Sequence, residues 1–261
     1  MTPRPLVLGY HVLGDISPEH DRHHLAVSPA RFRAQVERLL ARSYEFVKLT
    51  EFATRLRAAG PPAGVCALTF DDGTVDNAVL LPGLLEELGV PATLFVCPGL
   101  LGRPYPSMAP AAGVRYMTAD ELRQAARHPL VEIGSHTIDH PDLSDATAGE
   151  AFRELSESKL ALEELLAAPV QTFAYPYSRY SAACPPEAER AGYLCAVTGD
   201  GKGGWQPYEL RREGIASWDN RLTFALKSRG VFHPLLRSRP GRLALRARRA
   251  WVARSERRVA V

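Results

Sequence analysis

The 261-residue sequence predicts an α/β fold in which parallel strands alternate with amphipathic helices and close, or nearly close, into a barrel. Three observations carry this expectation. Apolar runs of strand length recur along the chain, roughly seven of them. The stretches between them are long enough for crossover helices, which parallel strands require. Finally, Tyr10-His11, Asp71-Asp72, Ser135-His136 and Tyr175-Pro176 each follow directly after such a run. In a barrel those positions gather on one rim, at the C-terminal ends of the strands.

The elements follow in order. Leu6–Tyr10 reads as the first strand. Ser28-Pro29 opens a helix, with Ser as N-cap and Pro in the first turn, and Phe32, Val36, Leu39 and Leu40 form its apolar face. A short strand over Glu45–Leu49 precedes a helix capped by Thr50. The run Val65–Phe70 is a buried strand, and Asn77–Leu88 a helix that stops at Gly89. Ala92–Cys97 is strand-like, and Thr118-Ala119-Asp120-Glu121 is a capping box for a helix ending near His128-Pro129. The strand Leu130–Gly134 leads into the His136 segment. A long helix from about Ala146 to Ala168 precedes strand Gln171–Ala174, and Pro186–Ala191 precedes strand Tyr193–Thr198. A last strand-like segment spans Arg211–Ile215.

Nothing resembling a linker or an internal repeat divides the chain, and 46% hydrophobic residues suffice for a full core. Four dispersed cysteines, Cys66, Cys97, Cys184 and Cys195, read as buried thiols and not as a disulfide framework. The N-terminal stretch holds no apolar run long enough for a signal peptide or a membrane span, so a cytoplasmic location is expected. Net charge is +3, unevenly spread. Residues 237–261 contain nine Arg and one Glu, a charge of +8, which leaves −5 on residues 1–236. The expected organisation is therefore a mildly acidic body over 1–236 and a basic tail or helix over 237–261. Leu243, Leu245, Trp251 and Val252 within the tail would suit peripheral contact with a membrane surface, the alternative being a solvated tail without a partner. No nucleic-acid partner is expected.

Two adjacent carboxylates at a strand end, Asp71-Asp72, resist joint ionisation unless a cation relieves them. A metal ion does so by binding one and leaving the other as a base. Ser135-His136-Thr137-Ile138-Asp139-His140 supplies two imidazoles at i and i+4, which on a helical turn share a face. Asp72, His136 and His140 then make a two-His one-carboxylate metal site with Asp71 as the base. The alternatives are an Asx turn at Asp71-Asp72-Gly73, one core histidine and one loop histidine. His20, His23, His24 and His128 read as solvated.

Thr69-Phe70-Asp71-Asp72-Gly73, Ser135–His140 and Phe173-Ala174-Tyr175-Pro176-Tyr177 resemble, in order, three motifs of the polysaccharide deacetylases, carbohydrate esterase family four. The resemblance covers roughly residues 5 to 230. It implies a distorted (β/α)7 barrel with the active site at the C-terminal rim. It also implies one divalent metal ion, zinc by default with iron, cobalt, nickel or manganese as alternatives. The implied reaction is hydrolysis of an N-acetyl group on an amino sugar of a polysaccharide or glycoconjugate. Tyr177 matches the residue whose backbone N–H lines the oxyanion site in relatives. Ala174 stands where relatives carry a base-tuning Arg; Arg211 or Arg212 could take that place in space, or make a surface ion pair. His11 is the candidate general acid, resembling the Tyr-His strand end of biofilm poly-N-acetylglucosamine deacetylases. A satisfied core histidine is the alternative, in which case His233 is the remaining downstream candidate. Tyr175, Trp205 and Arg211 are the residues expected to contact sugar, although Trp205 and Trp218 would serve equally as buried packing. Three rival readings remain: a deformylase or amide hydrolase on a lipid- or nucleotide-linked sugar, which would use the same residues; a catalytically weak glycan-binding protein; and a membrane-associated factor of an exopolysaccharide pathway, in which the tail matters more than the site.

Overall fold

The computed structural model describes residues 2–199 and 201–238. The chain forms two compact units, one ending at Trp218 and one beginning at Asp219. Of the basic tail expected over 237–261, all but its first two residues lie outside the described residues.

In the first unit the strands and helices are β1 (Leu6–Tyr10), β2 (Val12–Leu13), β3 (Ala26–Val27), α1 (Pro29–Leu40), β4 (Glu45–Phe46), α2 (Leu49–Ala59) and β5 (Val65–Phe70). They continue as α3 (Val75–Val79), α4 (Leu81–Leu88), β6 (Ala92–Val96), α5 (Ala119–Ala126), β7 (Val131–Ser135), α6 (Ala148–Leu166), β8 (Thr172–Ala174), α7 (Cys184–Arg190), β9 (Cys195–Val197) and β10 (Glu213–Gly214). The second unit holds α8 (Arg221–Ser228) and α9 (Phe232–Arg237). Within it Lys227 donates to Asp219, a buried ion pair.

The main sheet runs β10-β1-β5-β6-β7-β8-β9, every pairing parallel, with β4 added against the start of β5. The sheet curls into a distorted barrel, and the segment before β10 reaches across its opening. Leu210 donates its N–H to the Ala196 carbonyl and accepts from the Thr198 N–H, each at 2.9 Å, while Glu213 and Gly214 pair with β1. Strands β1, β5 and β6 are buried along their whole length, as expected where helices cover one face and packed side chains fill the other.

Several local expectations meet a different outcome. Leu40 is 40% exposed because α1 buries only Phe32, Gln35, Val36 and Leu39. Thr50 is not the cap of α2: Lys48 stands at that position, and the Thr50 hydroxyl instead donates to Glu132. The helix expected over Asn77–Leu88 is two helices, because Pro82 lacks an N–H and suits a first turn, so the chain restarts there. The capping boxes at Thr118 and, unforeseen, at Thr147 are formed with both reciprocal bonds. All four cysteines are buried and free of disulfides. No helix among the described residues is long and apolar enough to cross a membrane.

Candidate metal centre and catalytic cavity

The site is built where β1, β5, β7 and β8 end. The Asp71 N–H still bonds to the Tyr10 carbonyl at 2.9 Å, so Asp71 extends the β1–β5 ladder by one step. Asp72 and Gly73 then both turn left-handed, with φ of 72° and 71°. Asp tolerates this conformation and Gly takes it freely, which is the local reason for the Asp-Gly pair. At Gly73 a side chain would also meet Val96 at 3.1 Å.

The two imidazoles arrive by a route the spacing did not indicate. His136 continues β7, its N–H donating to the Val96 carbonyl at 3.0 Å. The chain then kinks, with Thr137 and His140 both at positive φ, and the His140 N–H donates to the Thr137 hydroxyl. The helical turn expected over these residues is therefore absent; a left-handed loop brings the ring centroids to 4.8 Å. His136 Nε2 lies 3.5 Å and His140 Nε2 3.3 Å from the same oxygen, Asp72 Oδ1. One ligand atom from each of Asp72, His136 and His140 falls within 4.8 Å of the others. The second ring nitrogen of His136 bonds to the Ala174 carbonyl at 2.7 Å, which holds the proton on Nδ1 and leaves the Nε2 lone pair for a cation. The donor set and its support fit one divalent ion. Burial pushes the Asp72 carboxyl up, but hydrogen bonds from His136 and His140 outweigh it and hold the group well below the usual carboxylate range.

Asp71 faces a different partner. Arg212 grips it bidentately, Nη1 to Oδ1 at 2.5 Å and Nη2 to Oδ2 at 2.6 Å, with both side chains buried. The same guanidinium donates to the Thr198 carbonyl and the Thr69 hydroxyl, so its position is fixed from four directions. Gly9 makes this possible: a Cβ there would stand 2.9 Å from Arg212 Cδ and Nε. Burial would raise the Asp71 carboxyl, yet the Arg212 charge prevails and the group stays below its ordinary value. Of the two arginines weighed for the position left by Ala174, Arg212 is the one at the carboxylate. Arg211 instead donates to Glu213 at 3.0 Å, an oxygen it shares with Arg4.

His11 lies beside Asp71, its Nε2 3.8 Å from Oδ2. Its backbone carbonyl accepts from Asn77 Nδ2 at 2.9 Å, and its buried Nδ1 has no partner among the described residues. Tyr177 is left-handed (φ 55°) and 58% exposed, its ring edge-on to His140 at 4.4 Å. Asp71, Asp72, His11, His136, His140 and Tyr177 all line one cavity of about 570 Å³. His23, expected to be solvated, is exposed but lines the same cavity, as do Pro106 and Ser107.

The three residues expected to contact sugar are not brought to this cavity. Tyr175 is buried, its hydroxyl bonded to the Tyr208 carbonyl and its ring stacked on Tyr180 at 4.2 Å. Trp205 packs on Phe52 and the apolar cluster that contains Val7, Ala67 and Val197. Arg211 serves the Glu213 pair. Tyr105 was not singled out at all, although its hydroxyl donates to Asp72 Oδ2. It lies in an irregular loop without periodicity, where no pattern marks a residue for the site.

The polysaccharide deacetylase family model matches residues 58–196. A Bacillus subtilis (strain 168) protein named as a polysaccharide deacetylase, YxkH, is 28% identical over 175 residues, which is 67% of this chain. The match spans only 59% of that relative's length. Among solved structures, the Streptococcus pyogenes deacetylase PplD in complex with acetate superposes with a TM-score of 0.70 at 25% identity, covering 84% of this chain and 95% of PplD. IcaB from Ammonifex degensii shares the fold, with a TM-score of 0.70 at 17% identity over 88% of this chain and 97% of IcaB. So does the polysaccharide deacetylase BC0361 from Bacillus cereus, with a TM-score of 0.70 at 22% identity over 87% and 69% of the two chains.

Proposed function

Because the chain belongs to the polysaccharide deacetylase family, we propose that it is a metal-dependent hydrolase that removes an N-acetyl group from an amino sugar of a polysaccharide or glycoconjugate. One observation supports this most: a two-His one-carboxylate donor set and an Arg-held carboxylate face the same cavity. Asp72, His136 and His140 would hold the ion, with zinc the expected metal and iron, cobalt, nickel or manganese compatible with the same donors. A divalent ion bound there supplies Lewis acidity to the acyl carbonyl and lowers the pKa of water.

The chain's own residues would do the rest. Asp71, kept ionised by Arg212, takes the proton of the attacking water as general base. Its two oxygens are both held, so the base is oriented before substrate arrives. The Tyr177 backbone N–H is the candidate donor to the developing oxyanion, as in relatives. His11, with its Nε2 close to Asp71 Oδ2, protonates the departing amine. Contacts to the sugar fall to the residues that line the cavity, Tyr177, His23 and Ser107 among them, and not to Tyr175, Trp205 or Arg211.

Acetate release from a panel of N-acetylated sugars and oligosaccharides, after chelation and metal add-back, tests this reading. Activity should vanish on chelation and return with metal. Asp71→Asn should keep the metal and lose most of the rate, whereas His136→Ala and His140→Ala should lose both. Metal-independent acetate release, or metal loss in Asp71→Asn with retention in Asp72→Asn, would overturn the assignment.

A further inference from the structure

The two oxygens of Asp72 have separate tasks. Oδ1 faces both imidazoles, while Oδ2 accepts the hydroxyl of Tyr105. Tyr105 is 3% exposed and Asp72 5%, so water does not compete for that bond. A buried tyrosine needs an acceptor, but any carbonyl would serve. Here the acceptor is the second oxygen of the one carboxylate in the donor set.

The loop that carries Tyr105 is anchored at several points. It leaves β6 at Cys97 and returns to α5 at Thr118. Pro104 and Arg115 bridge across it, Tyr116 bridges to Thr74, and Met117 N–H donates to the Gly73 carbonyl at 2.9 Å. Tyr105, Met108 and Tyr116 form a small apolar core with Val12 of β2 and Ala26 of β3, the two tyrosine rings edge-on at 5.2 Å. The hydroxyl is therefore delivered by a packed scaffold and not by a mobile side chain. Pro106 and Ser107, next in sequence, line the cavity itself.

We propose that Tyr105 is a positioning residue that holds Asp72 as a one-oxygen ligand, turning Oδ1 to the metal by occupying Oδ2. Without that hydroxyl the carboxylate can rotate, or chelate through both oxygens and take a coordination position that substrate and water need. This inference rests on the metal reading of the site.

The test is Tyr105→Phe, which keeps the ring and its packing on Tyr116, with Tyr116→Phe as a control that removes a hydroxyl from the same small core. Affinity for cobalt(II) is measured by competition with a chelator, the visible absorption of the cobalt form is recorded, and thermal unfolding is followed without metal. Tyr105→Phe should bind cobalt about 10–100-fold more weakly, the range for loss of a group that orients a ligand. Its cobalt absorption should change in intensity and position, and its deacetylation rate should recover as metal is raised. Tyr116→Phe should match the unsubstituted protein in all three. Unchanged affinity and absorption in Tyr105→Phe would overturn the inference while leaving the metal site standing. Weaker binding accompanied by loss of cooperative unfolding would overturn it in favour of a structural role for the loop. Failure of the unsubstituted protein to bind cobalt would overturn the reading of the site and this inference with it.

Discussion

Replacing Arg212 by Met should convert the base from a permanently ionised carboxylate into one that titrates within the working range. Asp71 and Arg212 are each about 5% exposed at the side chain and share two short hydrogen bonds. Breaking a buried pair by removing one partner costs about 3–5 kcal/mol, because the remaining charge is left without compensation. For a chain of this size that is a fall in Tm of roughly 10 °C at neutral pH. The sign follows from linkage. With Arg212 present the Asp71 carboxyl lies below its ordinary value, so the pair stabilises the fold above the unfolded pKa and is lost as pH falls through the folded one. Without Arg212, burial raises the group with only the nearby His136 and His11 acting against it, so the deficit should be largest at neutral pH and shrink towards acid. The acid limb of kcat/KM should move up by about 1–3 pH units, the range set by one opposite charge beside a carboxylate. Arg212→Lys retains a charge without the two-pronged grip and should fall between. The assays are a pH–rate profile and thermal unfolding across the same pH range. An acid limb that stays in place while Tm falls would refute the reasoning, since Arg212 would then brace the barrel without tuning the base.

Two further outcomes are expected. His11→Ala should leave metal content and melting temperature intact and lower amide hydrolysis by about 10²–10⁴, with a smaller loss on an activated acetate ester that needs no protonated leaving group; equal losses on both substrates with a lower Tm would make His11 structural. Asp76, buried with Oδ1 unpartnered and Oδ2 accepting from the Leu13 N–H, is pushed from 3.8 up to about 6 by burial. Its raised pKa means stability that is present below the unfolded value and lost as pH rises through about 6, about 3 kcal/mol in all. Urea unfolding of Asp76→Asn against the unsubstituted protein should therefore show a difference that changes between pH 4 and pH 7, and a difference constant over that range would contradict it.

What was legible in the sequence was whatever local chemistry encodes. The positions of the main strands followed from apolar runs, and the Thr118 capping box from its four-residue pattern. Asp72, His136 and His140 could be grouped from their motifs, but the geometry joining them could not. The i, i+4 spacing suggested a helical turn, whereas Thr137 and His140 adopt left-handed conformations that only the packed loop enforces. Neither Arg211 nor Arg212 could be preferred, since adjacent residues on a strand point to opposite faces and register decides between them. Gly9, far away in sequence but on the strand that pairs directly with β10, is what admits Arg212 to the barrel interior. Aromatic residues were misplaced for a related reason. Tyr175 and Trp205 have the composition of sugar platforms, but the barrel and its cover bury them against Tyr180 and Phe52.

The alanine at position 174 was the residue that most favoured a decayed, merely glycan-binding site. Its surroundings weaken that reading. Ala174 is fully buried among the apolar residues that include Phe95 and Val197, and its carbonyl orients His136. The cation that its position would otherwise have supplied arrives from the segment that closes the barrel, between Leu210 and β10. Both buried carboxylates then have their oxygens fully assigned: Asp71 to the two prongs of Arg212, Asp72 to the imidazole pair on one side and Tyr105 on the other. Keeping two adjacent carboxylates buried and ionised is costly unless each is compensated separately. A binding site that no longer needed a base would have no reason to retain a buried Arg–Asp pair, because an apolar replacement of similar volume is often neutral or stabilising. The charge beside Asp71 thus comes from the residue just before β10, where a side chain at position 174 does not supply it.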